Sequence, residues 1–231
     1  MNRKLINGLL ILIAIAIVVI IGMDFIGNKA GQNKTNPYEY NIEAFKQVDS
    51  TKVLYDEVLH FPVLADVLSA IAVTDSLIVV AAGNQLLQYN FSGKEILRKP
   101  ITDTATCLAI DENRHAWIGT RHFVAVYDLK GTLIKKWKSF GERSVITSLS
   151  VSGDQVFIAD AGNRVVYKCN RDGQVVSKIG EKNEQKGIPG YVIPSPYFDL
   201  ALDNTGFLWV VNPGRQSLEN YNADGSLRTS W

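Results

Sequence analysis

The chain has 231 residues, of which 46% are hydrophobic and 20% are charged, and its formal net charge is +1. This balance is typical of a folded globular domain that buries a core, and it argues against a disordered chain. The near-neutral charge lacks the basic surface that nucleic-acid binding requires, so we expect no nucleic-acid partner.

The N-terminal segment predicts a membrane anchor. Residues 5–23 carry no charge and are apolar except for Asn7 and glycine, and a helix of this length spans about 28 Å. Arg3 and Lys4 precede the segment and Asp24 follows it, so residues 1–4 should stay in the cytoplasm and the rest should be periplasmic or extracellular. A cleaved signal peptide is the alternative, but the run is long for one and no small-x-small site follows closely. Residues 24–51 then form a polar tether and N-terminal extension.

The remaining residues, 52–231, contain a fourfold repeat. Residues 147–180 predict four short strands with a Gly-Asp turn, a Gly-Asn turn and an Asp-Gly turn between them. The unit recurs with a glycine at the same position of the third turn, at Gly93, Gly131, Gly173 and Gly225. We therefore predict an all-β protein built as a β-propeller, with four-stranded antiparallel blades at about 69–101, 106–140, 147–180 and 198–231.

Aspartates recur at the turns of these units. Asp111 precedes Trp117 by the same spacing that separates Asp203 from Trp209, and Asp160 stands before a Gly-Asn turn. Such side chains commonly accept hydrogen bonds from the backbone of their own turn, so we interpret them as turn residues rather than as catalytic acids.

The third and fourth units, with IADAGNRVV and LDNTGFLWVVNPGRQSLENYNADGSL, resemble NHL repeats, and the likeness extends over about residues 69–231. NHL propellers are commonly six-bladed. The resemblance implies a rigid disc whose loops bind proteins, nucleic acid or small ligands, and some relatives by fold are metal-dependent lactonases or lyases. Six blades of about 40 residues exceed the roughly 195 residues after the tether, which favours a piece of a longer propeller. A four-bladed ring and two assembled partial discs remain the alternatives.

An N-terminal strand often completes the last blade of a propeller and removes its exposed edge. Residues 52–63, KVLYDEVLHFPV, alternate loosely between polar and apolar positions, which is typical of a strand. We therefore predict a closing strand at about 53–60.

The chemistry-bearing residues give no catalytic constellation. No phosphate-binding loop, nucleophile elbow or zinc motif is present, and His60, His115 and His122 fall on different parts of the repeat. We predict no catalytic residue, no metal site and no cofactor. Cys107 and Cys169 occupy unlike positions of their units, so two buried thiols are expected rather than a disulfide.

The insertion at residues 181–197, EKNEQKGIPGYVIPSPY, separates the third and fourth units. Alternating strand direction places it beside the second turns of both neighbouring blades, so one rim should gather a candidate partner-binding set: Arg164, Lys182, Lys186, Tyr191, Tyr197 and Arg215. An insertion that only packs over the blade junction is the alternative. The favoured function is a membrane-tethered scaffold that binds a protein, peptide or glycan, and a metal-dependent lactonase- or lyase-like enzyme is the other hypothesis.

Overall fold

The computed structural model describes residues 3–27, 50–185, 188–222 and 224–231. The chain divides into two compact units, residues 1–57 and 58–231. In the first unit, α1 spans Arg3–Gly27, and a single 3-10 turn spans Ser50–Lys52. Judged on the described residues, no helix combines the length and the apolarity that crossing a membrane demands.

The second unit consists of four antiparallel sheets of four strands each, and in every sheet the strands lie in chain order. The predicted all-β class with four-stranded blades is therefore confirmed. Blade 1 contains β1 Leu68–Val73, β2 Ile78–Ala82, β3 Gln85–Tyr89 and β4 Glu95–Pro100. Blade 2 contains β5 Ala105–Ile110, β6 Ala116–Thr120, β7 Val124–Tyr127 and β8 Leu133–Lys136. Blade 3 contains β9 Ile146–Ser152, β10 Gln155–Asp160, β11 Val165–Asn170 and β12 Val175–Ile179. Blade 4 contains β13 Leu200–Leu202, β14 Leu208–Asn212, β15 Ser217–Tyr221 and β16 Leu227–Ser230.

The repeated third turn has the same backbone conformation in each blade. Its four glycines have φ values of 79, 81, 84 and 88°, at Gly93, Gly131, Gly173 and Gly225. This left-handed region is open to glycine without the steric cost that a β-carbon adds. The requirement for a tight hairpin turn thus explains why the sequence keeps glycine at this point of every repeat.

The blades pack face to face, and the same two faces meet at each junction. We call the face of a blade that contacts the next blade in the chain its forward face, and the opposite face its rear face. At the second junction, Trp117 and Val126 of blade 2 pack against Ile158 and Cys169 of blade 3. Burial of the apolar residues that alternate along these strands holds the sheets together.

The Asp-to-Trp spacing produces a hydrogen bond inside the blade. The Trp117 indole N–H donates to Asp111 over 3.0 Å, and the Trp209 indole N–H donates to Asp203 over 2.9 Å. Asp111 also accepts from the backbone N–H of His115 and, across the junction, from Arg171 at 2.7 Å. These aspartates therefore act as turn acceptors, and Asp111 in addition joins blade 2 to blade 3.

Acid should weaken the propeller through these carboxyl groups. Hydrogen bonds from Thr205 and Trp209 lower the pKa of Asp203 to about 2. Burial raises the pKa of Asp111, but hydrogen bonds from His115, Trp117 and Arg171 outweigh it and hold that pKa below its ordinary value. A lowered carboxyl pKa adds stability above its unfolded value near 4, and this contribution is lost as the pH falls through the folded value. We therefore expect the urea concentration at the unfolding midpoint to decrease as the pH is lowered from about 4 to about 2.

The variant Asp203→Asn tests this assignment. Asparagine can still accept hydrogen bonds at the turn, but it does not titrate. The urea midpoint of the variant should therefore change less steeply between pH 4 and pH 2 than that of the wild type. Identical slopes for the two proteins would contradict the role given to Asp203.

The prediction of a closing strand at residues 53–60 is wrong. Residues 53–66 form no strand, and blade 4 obtains all four of its strands from residues 200–230. A further strand is not needed to complete that sheet. Instead, Phe61, Val63 and Ala65 pack on the rear face of blade 1, where they cover Val80 and Leu87. The side chains of residues 53–60 are exposed, and only the apolar residues that follow them are partly buried on the sheet, without backbone pairing.

The forward face of blade 4 is more exposed than the same face elsewhere. Val211 and Leu218 are each 40% exposed, whereas the residues at their positions in blade 3, Ala159 and Val166, are both 0% exposed. Trp209 on this face stacks on Trp231 with ring centroids 5.2 Å apart. Within the described residues, this face therefore has no neighbouring blade.

Both cysteines are free and buried, as the sequence predicted. Burial raises the pKa of Cys107 and of Cys169 to about 12 in each case. A thiol with so high a pKa is a poor nucleophile at neutral pH, so both residues serve as packing groups between blades.

Candidate functional site

One end of the propeller unit carries the turns between the second and third strands together with the links between blades. We call this end the connection face. Backbone hydrogen bonds fasten the two kinds of segment: Ile101 N–H donates to Asn84 at 2.8 Å, and Ala161 N–H donates to Val145 at 2.8 Å. Loops held in this way on a rigid sheet scaffold are the usual carriers of binding function.

The insertion at residues 181–197 is fastened to the second turn of blade 4. Gly214 N–H donates to Val192 O at 2.8 Å, and Arg215 donates to Gly190 O at 2.7 Å. The Asn212 side chain accepts from Val192 N–H at 3.2 Å. The insertion therefore lies against residues 212–215, on the side to which alternating strand direction carries it.

Tyr191 fixes the middle of the insertion. Its side chain is 4% exposed, and its ring lies 4.9 Å from Phe198 and 6.3 Å from Tyr221 between ring centroids. A β-carbon at Gly180, where φ is +69°, would lie 2.1 Å from this ring. Glycine at that position thus lets the tyrosine enter the core between blades 3 and 4.

A central cavity of about 560 Å³ is lined by the inner strands of blades 1, 2 and 3 and by the segment that leads into blade 4. Its wall combines hydroxyl-bearing inner-strand residues with the end of the insertion: Ser69, Thr106, Thr147, Ser148, Pro196, Tyr197 and Asp199. Ser148 Oγ donates to Leu200 O at 3.3 Å, and Thr147 donates to Phe198 O, so β9 is tied to the segment that enters blade 4. This cavity offers a polar wall with one exposed aromatic side chain at its rim.

The structure distributes the candidate partner-binding residues unevenly. Tyr197 is 80% exposed and borders the central cavity. Arg164 is exposed in the second turn of blade 3, and Lys182 is exposed and pairs with Glu184 at 2.7 Å. Arg215 holds the insertion, while Tyr191 is buried and serves packing. Lys186 lies outside the described residues.

A second concavity lies under the insertion, between blades 3 and 4. This insertion pocket has a volume of about 360 Å³ and is lined by Gly180, Ile188, Pro189, Gly190, Tyr191, Arg215, Glu219, Tyr221, Gly225, Ser226 and Leu227. Its most unusual member is Glu219, which is 5% exposed. Asn212 donates to this carboxylate at 2.8 Å and Ser217 at 3.3 Å, and the Tyr221 hydroxyl also donates to it.

Glu219 was missed when the sequence was analysed, although the repeat contains a signal. The strand pairing places Glu219 opposite Val210, at the position that Leu87, Ala125 and Tyr167 occupy in the other blades. A charged side chain at a rear-face position that is otherwise uncharged departs from the pattern. Buried carboxylates are costly unless they gain partners, so such a departure indicates a particular local role.

The histidines do not converge in the part of the chain that the structure describes. His115 Nδ1 lies 3.3 Å from the carboxylate of Asp111, which Arg171 also contacts. No group of three or more His, Cys, Asp and Glu side chains among the described residues has an arrangement that could hold a metal ion.

Comparison with known proteins identifies the architecture. No protein-family model matches the chain, and no curated protein matches it. Virginiamycin B lyase from Staphylococcus aureus is similar in structure, with a TM-score of 0.55, 15% identity, and coverage of 71% of this chain and 55% of the lyase. A protein of unknown function from Bacteroides caccae gives a TM-score of 0.58 and 12% identity, covering 75% of this chain and 64% of that protein. The WD40 propeller domain of Doa1 gives a TM-score of 0.54 and 10% identity, covering 70% of this chain and 52% of that domain.

The chain is built of β-propeller blades. At identities of 10 to 15% the likeness shows the fold alone, and it leaves the NHL family unassigned. The chain spans about half the length of the lyase and of the WD40 domain that it matches. A lyase and a WD40 domain share this architecture, so the fold alone does not determine the function.

Proposed function

We propose that this protein is an extracytoplasmic, membrane-tethered propeller of the NHL-repeat type that binds a protein, peptide or glycan through its connection face. Support for the tether comes from the sequence, since residues 5–23 are uncharged and follow a positively charged N-terminus. Support for the NHL type comes from the repeat glycines and from the IADAGNRVV stretch.

The observation that carries the binding proposal is the fixed position of the insertion. Three prolines, Pro189, Pro194 and Pro196, restrict its backbone, and hydrogen bonds from Gly214 and Arg215 hold it to blade 4. A loop held in this way loses little conformational entropy when a partner binds, so more of the contact energy appears as affinity.

The insertion also presents groups suited to recognition. Tyr197 stands 80% exposed at the rim of the central cavity, and Arg164 and Arg215 are exposed on the neighbouring turns. Tyrosine and arginine are enriched at protein interfaces because each combines a large contact area with hydrogen-bonding groups. A packing role alone would not require an aromatic side chain to remain exposed to solvent.

A photo-crosslinking experiment tests the proposal on the full chain in its native membranes. A photoreactive phenylalanine analogue replaces Tyr197 in one variant and Phe91 in the other. Phe91 is 52% exposed and lies in a turn between third and fourth strands, at the opposite end of the propeller from the connection face. We expect the probe at Tyr197 to yield a defined crosslinked partner at least about tenfold more strongly than the probe at Phe91.

Arg164→Ala, at an exposed residue that does not hold the insertion, should reduce this crosslink without changing the thermal transition. Equal crosslinking from Tyr197 and Phe91 would contradict recognition by the connection face. Release of the chain from membranes by alkaline carbonate would contradict the tether. A partner that is consumed chemically rather than retained would favour the lyase- or lactonase-like alternative.

A further inference from the structure

The lining of the insertion pocket combines apolar side chains with charged ones. The Tyr191 and Tyr221 side chains, together with Ile188, Pro189 and Leu227, form the walls of the space of about 360 Å³. The Glu219 side chain lines the same space, although the residue is only 5% exposed. A lining that combines apolar side chains with a carboxylate matches a ligand with an apolar stem and a positively charged end.

The hydrogen bonds of the Glu219 carboxylate leave one acceptor site for a further donor. An ionised carboxylate has about four acceptor sites, and the described donors are Asn212, Ser217 and Tyr221. None of the ion pairs among the described residues includes Glu219. A carboxylate removed from water gains most from a partner of opposite charge, and the hydrogen-bond donors to Glu219 are all neutral. The cationic side chain in the pocket lining, Arg215, donates to Gly190 O instead.

Tyr191 lines the same pocket as Glu219 and carries an unsatisfied hydroxyl. Its Oη is buried and makes no hydrogen bond of ordinary geometry within the described part of the chain, although the Tyr221 hydroxyl lies close enough to add to the rise that burial causes in its pKa. Burial raises the pKa of Tyr191, so the hydroxyl stays neutral and keeps both its proton and its acceptor lone pairs. A buried polar group without a partner destabilises the fold, and a hydrogen bond from a ligand to this group would offset that cost.

We propose that the insertion pocket binds a primary ammonium group carried on an apolar stem, with its N–H groups donating to Glu219 and to Tyr191 Oη. An alkylammonium fits because its stem can contact the tyrosine rings and Leu227 while its head reaches the carboxylate. The lysine side chain of a partner peptide and a free alkylamine share this chemistry. Arg215, whose guanidinium also lines the pocket, can pair with a carboxylate or backbone carbonyl of the same ligand.

This inference rests on the proposed binding role of the insertion, but it depends on different residues. Recognition by the connection face is tested at Tyr197 and Arg164, whereas the ammonium site is tested at Glu219. Loss of the Tyr197 crosslink with retained amine binding would contradict the proposed function alone. Retained crosslinking without amine binding would contradict the ammonium site alone.

Calorimetric titration of the full chain in detergent tests the site with defined probes. Nα-acetyl-lysine N-methylamide represents a peptide lysine, and n-butylamine represents a free amine. Nα-acetyl-norleucine N-methylamide has nearly the same stem without the ammonium group. We expect the lysine derivative to bind at least about tenfold more tightly than the norleucine derivative, and the result with n-butylamine identifies the source of the amine. Equal binding of the lysine and norleucine derivatives would overturn the proposal.

Two variants separate the charge from the shape of the pocket. Glu219→Gln removes the charge with little change in volume. It should lower the affinity for the lysine derivative about 10- to 100-fold. Glu142→Gln makes the same substitution at an exposed residue and should leave binding unchanged. Should Glu219→Gln fail to fold, Leu227→Trp narrows the entrance from a residue that is 56% exposed and should also weaken binding about tenfold. Wild-type affinity in a folded Glu219→Gln or Leu227→Trp protein would overturn the proposal.

Discussion

Replacing Asp111 with Ala should lower the free energy of unfolding by about 3 kcal/mol. The substitution removes the acceptor for the Trp117 indole at 3.0 Å and for the Arg171 guanidinium at 2.7 Å. The carboxylate side chain is fully buried, whereas that of Arg171 is 24% exposed. The indole N–H is then left buried without a partner, and blade 2 loses its buried ionic contact with blade 3, while the more exposed pairs Glu112–Arg171 and Lys135–Asp172 remain. Urea unfolding followed by tryptophan fluorescence measures the effect, because all four tryptophans lie in the propeller unit.

Asp203→Ala is the matched control for this prediction. Asp203 holds the same place in its blade and accepts from Trp209 at 2.9 Å, but its described hydrogen bonds are all with residues of its own turn and strand. Asp203→Ala should therefore lower the free energy of unfolding by less than Asp111→Ala does. An equal or larger effect of Asp203→Ala would show that the contact across the junction adds nothing.

Replacing Tyr191 with Ala should lower the free energy of unfolding by about 3 to 5 kcal/mol, the range found when a buried aromatic side chain is truncated. The ring is 4% exposed and packs against Phe198 and Tyr221, so its loss leaves a cavity between blades 3 and 4. It also releases the middle of the insertion from the core. Unfolding measurements should show the loss of stability, and limited proteolysis should show faster cleavage within residues 181–197.

Tyr197→Ala provides the comparison within the same insertion. Its side chain is 80% exposed, so the same chemical change should shift the free energy of unfolding by no more than about 0.5 kcal/mol. Tyr191→Phe should retain most of the packing because it keeps the ring. Equal losses for Tyr191→Ala and Tyr197→Ala would contradict the assignment of Tyr191 as the anchor of the insertion.

The blades could be predicted from the sequence because each one depends on local signals. A hairpin with a tight third turn needs a left-handed residue, so Gly93 and its three equivalents mark every unit. The Asp-to-Trp spacing likewise reports a hydrogen bond within one blade. Residues 53–60 were assigned incorrectly because a loose alternation of polar and apolar residues is not specific to a strand. All of these side chains are exposed, and only the segment that follows, residues 61–65, packs on a sheet.

The candidate site was predictable in position but not in detail. Strand direction placed the insertion beside residues 212–215, since successive strands of a meander must reverse. The sequence did not indicate which side chains of the insertion point into the core and which point to solvent. Tyr191 enters the core while Tyr197 faces solvent, and the two residues are six apart in one irregular loop that has no repeating period.

The amino-acid sequence by itself determined the repeated four-stranded unit, the turns that delimit it and the place where an insertion interrupts the repeat, because these features depend on short-range backbone geometry. Only the tertiary structure decided that Glu219 and Tyr191 line the same pocket. The two side chains are 28 residues apart in the chain, and they meet because blades 3 and 4 bury their facing surfaces together. Long-range packing of this kind depends on many apolar contacts at once, and no local pattern specifies it.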